Sequence, residues 1–87
     1  MIPKQAYDLI SKYRKSLGVE QKFGVKQLDD WNGMKVYQSY RLPGMPVIEA
    51  CYGYPPYVLF DGTDYRLSTL QELRAIHQRE VDLRASR

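Results

Sequence analysis

Apolar residues in this chain recur first at helical and then at strand spacing. Ala6, Ile10, Tyr13 and Leu17 follow one another at steps of four, three and four, and Leu9 widens the stripe. Pro3 suits a first helical turn, where a missing N–H costs nothing, and Gly18 suits the C-terminal cap. The spacing predicts a helix over residues 3–17, with Lys12, Arg14 and Lys15 near the negative end of its dipole.

Residues 18–33 read in two ways. Asn32-Gly33 is a hairpin signal, because both residues accept the positive φ of a type I′ turn; Trp31 then faces Met34 and Asp30 faces Lys35. Val25, Leu28 and Trp31 also fit a short helix ended by Gly33. The hairpin is favoured, with a short incoming strand. From Met34 to Leu42 the period is two. Met34, Val36, Tyr40 and Leu42 share one face, and Lys35, Tyr37, Ser39 and Arg41 share the other. Pro43-Gly44 breaks this strand, and residues 46–53 read as the next.

Tyr57 to Phe60, Asp61-Gly62 and Thr63 to Leu67 spell a hairpin with a two-residue turn. It pairs Phe60 with Thr63 and Val58 with Tyr65. Val58, Phe60, Tyr65 and Leu67 take one face; Tyr57, Leu59, Asp64 and Arg66 take the other. Ser68 with Gln71 forms a capping-box pattern opening a last helix, whose stripe is Leu70, Leu73, Ile76, Val81 and Leu83. Glu80 and Arg84 form a helix-favouring pair on a tail that projects or frays. The fold expected is α+β: an N-terminal helix, an antiparallel meander of three to five strands and a C-terminal helix, with both helices on one sheet face.

At 87 residues the chain is the size of one small domain, residues 1–87, whose core is thin. The single cysteine, Cys51, excludes an internal disulfide. The longest apolar run, Tyr57 to Phe60, is far too short to cross a membrane, and no signal-peptide pattern opens the chain. The cytoplasm is the expected compartment. Net charge is +3, and the cation excess lies in residues 1–26, where six cations meet two anions.

Chemistry-bearing patterns are sparse. One histidine and one cysteine do not make a zinc site, and no calcium loop or phosphate-binding glycine pattern occurs. A Cys51–His77 dyad is the one nucleophile–base pair to name; a cysteine within a strand reads more simply as a small buried hydrophobe. The expectation is therefore no catalytic residue, no metal and no cofactor. Eight tyrosines remain, and most have a structural place on the sheet. The alternation sends Tyr37 outward beside Lys35 and Arg41, and Tyr57 outward beside Leu59 and Arg66, with Tyr54 in the Pro55-Pro56 loop. Tyrosine and arginine favour protein interfaces, so Lys35, Tyr37, Arg41, Tyr54, Tyr57 and Arg66 are the candidate protein-binding set. The expected partner is a protein, approached through this face or the C-terminal helix; a homodimer formed through an edge strand or that helix is one version. The alternative is a nucleic acid, held by Lys12, Arg14, Lys15, Lys22 and Lys26.

Overall fold

A computed structural model describes residues 2–19, 21–44 and 55–86. The first helix, α1, runs Lys4–Ser16. Pro3 is its extended N-cap, and the Pro3 carbonyl accepts the Ala6 and Tyr7 amides. At the other end Gly18 takes φ +76°, and Val19 N–H reaches the Arg14 carbonyl while Gly18 N–H reaches that of Lys15. These two bonds are the Schellman closure that a left-handed residue makes possible.

The hairpin reading of residues 18–33 holds. Strand β1 spans Phe23–Trp31 and β2 spans Met34–Arg41, joined by Asn32 and Gly33 at φ 51° and 76°. The incoming strand is nine residues long, not short. Trp31 faces Met34 as expected, but Asp30 does not simply face Lys35. Leu28 pairs with Val36, so Asp29 and Asp30 together oppose Lys35 in a β-bulge. The bulge carbonyls are taken up from a distance: Arg79 donates Nη1 to Asp30 O at 2.7 Å and Nη2 to Asp29 O at 2.9 Å.

Strands β3, Val58–Phe60, and β4, Tyr65–Leu67, complete an antiparallel sheet in the order β1-β2-β3-β4. The expected strand over residues 46–53 lies outside the described residues; β2 pairs directly with β3. The β3–β4 faces are as the alternation predicts, but the register differs by two. Phe60 pairs with Tyr65 and Val58 with Leu67, leaving Asp61–Asp64 as a four-residue turn. The Asp61 carboxylate explains it, accepting the Thr63 and Asp64 amides at 2.8 and 2.9 Å. Those bonds also hold the Asp61 pKa below the usual carboxylate value.

The last helix, α2, runs Leu70–Ala85. Its cap is Thr69 with Glu72, one residue after the pair read from sequence. Ser68 is already committed, since its N–H and Oγ bond the Tyr57 backbone and extend the β3–β4 ladder. Of the expected stripe, Ile76 is buried and Leu73 partly so, while Leu70, Val81 and Leu83 are exposed.

The α+β class and the order helix, meander, helix stand as expected, and both helices pack on the sheet. They do not share a face. Ala6 and Ile10 of α1 pack with Phe23, Tyr37 and Val58. Ile76 of α2 packs with Val36, Tyr57 and Leu59. Val36 and Tyr37 are neighbours in one strand, as are Val58 and Leu59, so the two clusters lie on opposite sides. The centre of the sheet is thus the middle layer of three.

Candidate functional site

A sheet covered on both faces changes the place of the tyrosines. Tyr37 is 3% exposed and Tyr57 4%, so neither points into solvent. Tyr37 lies in the α1-side cluster and Tyr57 in the α2-side cluster. Burial is the main reason the Tyr37 phenol holds its proton more tightly than usual, with Tyr65 and Asp30 adding to it. Tyr65 in turn stacks on Phe60 at 4.2 Å and tilts against Tyr37 at 6.4 Å. These rings are core. Tyr54 lies outside the described residues.

The cations expected beside them do not converge either. Lys35 and Arg41 are exposed on β2, whereas Arg66 extends on the α2 side from β4. Arg66 donates Nη1 and Nη2 to the two Glu72 carboxylate oxygens, each at 2.7 Å. That fork, first of all, draws the Glu72 pKa from 4.5 down to about 2, with the Thr69 amide helping. The same bond raises the Arg66 pKa. Arg66 is therefore a strap between β4 and the first turn of α2.

The exposed surface that does assemble is a groove of about 700 Å³. Its floor is the end of the sheet beyond Ile76, with Lys26, Gln38 and Tyr40; its wall is the C-terminal half of α2, with His77, Leu83 and Arg84. Tyr40 lies across Gly24, its cross-strand partner, so closely that a Cβ there would enter the ring. Glycine at that position is what lets the ring lie down. Leu83 is two helical turns beyond Ile76 and shares its direction. Ile76 is fully buried; Leu83 and Tyr40 are each 42% exposed. Sequence reading placed Leu83 in the stripe and Tyr40 on this face, but not both around one groove.

The five cations of the alternative reading are divided. Lys12, Lys15 and Lys22 are exposed near the end of α1. Lys26 pairs with Gln38 and alternates onto the α2 side of β1, where it lines the groove. Arg14 is only 6% exposed. Its guanidinium lies over the Phe23 ring, 4.7 Å from the centroid, and Tyr7 stacks on the same ring, also at 4.7 Å. Tyr7 and Arg14 are two turns apart on α1, about 10.5 Å, and both lie against the Phe23 ring. Stacking on an aromatic face offsets about 0.5–2 kcal/mol of the burial. It supplies no acceptor, and Arg14 Nε is sealed from solvent with no hydrogen-bond partner. A donor left so costs about 1–3 kcal/mol. Ala6, Ile10 and Arg14 are spaced by four and share one helical face, but that spacing does not tell what covers the face.

Among the described residues no three His, Cys, Asp or Glu side chains gather where they could hold a metal ion, and no helix is long and apolar enough to cross a membrane. Comparison with protein-family models, with characterised proteins and with solved structures finds no match to this chain.

Proposed function

We propose that this protein is a small non-catalytic interaction domain, and that it holds a segment of a protein partner in the groove between Tyr40 and the last turns of α2. The carrying observation is Leu83. It continues the packed side of α2, yet stands exposed over a sheet end that the helix does not cover. An aromatic and a leucine facing each other across an open groove, rimmed by Lys26 and Arg84, combine apolar area with polar handles. A nucleic-acid reading has less support, because Arg14 is enclosed and Lys26 belongs to the other side of the sheet from α1.

The test is a peptide-display selection on the wild-type protein, with counter-selection on Leu83→Glu. Peptides that survive should bind wild type at least tenfold more tightly than the variant and shift the amide signals of Tyr40 and Leu83. Light scattering of the same two proteins asks whether the partner is a second copy: an association that L83E abolishes makes it so. Absence of enrichment together with a monomer at all concentrations would overturn the proposal.

A further inference from the structure

We infer that the Arg14 guanidinium is a binding site for an oxyanion of the carboxylate class, presented from outside the domain. Arg14 is more than nine-tenths buried, its guanidinium lies over Phe23, and Tyr7 stacks on the same ring. A guanidinium held this way is already oriented, so little rotamer entropy remains to be lost when a ligand arrives. What the site lacks is an acceptor. No described residue is seen to hydrogen-bond the Arg14 side chain, and Nε is sealed from solvent without a partner. With Nε sealed, the edge left to meet a ligand is Nη1–Nη2, two parallel donors in one plane, reached through the 6% of the residue that stays exposed. That geometry matches the two oxygens of a carboxylate end-on.

The fold partly accommodates the charge without such a ligand. Arg14 lies in the last turn of α1, where the helix dipole favours a cation, and the ring face adds its own attraction. Neither satisfies an N–H, and buried donors ordinarily find partners. A polyphosphate backbone is the less fitting occupant. Lys12, Lys15 and Lys22 are exposed near the same end of α1, but a backbone running past them meets Arg14 only at an almost closed site, and Lys26 lies on the opposite side of the sheet from Phe23. One enclosed fork suits one small planar anion. The site lies across the sheet from the groove, so it stands or falls independently of the partner proposed there.

The experiment follows the Arg14 guanidinium nitrogen signals by NMR while sodium glutarate, a glutamate pentapeptide or inorganic phosphate is added, with chloride holding ionic strength constant. Glutarate or the pentapeptide should move the Arg14 Nε signal to saturation, with affinity lowered tenfold or more in Arg14→Lys, which keeps the charge but not the fork. Saturation by glutarate points to a free carboxylic acid; saturation by the peptide alone points to an acidic side chain of a partner. In a melting experiment, glutarate at a hundredfold excess over its Kd should raise the wild-type Tm by about 10 °C and leave Arg14→Met unmoved. Tighter saturation by phosphate overturns the carboxylate assignment. An Nε signal that none of the anions moves, or an equal Tm rise in wild type and variant, overturns the site.

Discussion

Replacing Glu72 by glutamine removes one charge while leaving an amide oxygen able to accept the Thr69 N–H. The carboxylate accepts two Arg66 donors at 2.7 Å and the Thr69 amide at 2.9 Å, and its pKa falls from 4.5 to about 2. At face value such a drop corresponds to roughly 3 kcal/mol. About half of the Arg66 side chain stands in solvent, so screening reduces the stabilisation credited to Glu72 to about 1–2 kcal/mol. The sign follows from linkage: a carboxylate with a depressed folded pKa stabilises above its unfolded pKa. That stability is present above pH 4.5 and disappears as pH falls towards 2. Urea denaturation from neutral pH to pH 2 should show Glu72→Gln weaker by about 1–2 kcal/mol at neutrality, about 5–10 °C in Tm, with the gap closing in acid. Taking the difference between the two proteins isolates Glu72 from the other carboxylates. Arg66→Met should add almost nothing to Glu72→Gln, since the fork is already lost. Equal midpoints at neutral pH, or a gap that persists at pH 2, would refute the reasoning.

Two further predictions concern the sheet. Arg79→Ala removes the two donors that bind the bulge carbonyls of Asp29 and Asp30, and should cost about 2 kcal/mol in urea denaturation. Arg79→Lys should recover only part of this, because an ammonium does not span both oxygens, and amide exchange should speed up selectively around Trp31. Gly24→Ala should destabilise by about 1 kcal/mol in the presence of Tyr40, whose ring it displaces, and become neutral or favourable in a Tyr40→Ser background, where only the backbone entropy of glycine remains. The same urea denaturation reads both, and an effect of Gly24→Ala independent of Tyr40 would contradict the packing described.

Local chemistry was determined by the sequence alone. Pro3 and Gly18 bound α1, Asn32-Gly33 turns β1 into β2, and the two-residue period assigns the faces of β2, β3 and β4. Each of these depends on one or two residues and their backbone preferences. Where a neighbour competed, sequence missed by a small step. Ser68 was claimed by Tyr57, so the cap moved to Thr69; the Asp61 carboxylate widened the β3–β4 turn; the bulge displaced Asp30 from Lys35.

The candidate site was not legible in the same way. Alternation separates a strand's side chains into two sets without saying how many layers will cover them. One hint was present, since Tyr57-Val58-Leu59-Phe60 is a continuous apolar run, the mark of a strand buried on both faces. Only the tertiary structure decided that α1 and α2 take opposite sides, which turned Tyr37 and Tyr57 from surface into core. It also decided that Leu83 and Tyr40, both exposed, line one groove, and that Arg14 is enclosed against Phe23. Burial is a property of what arrives from elsewhere in the chain, and spacing within one element does not contain it.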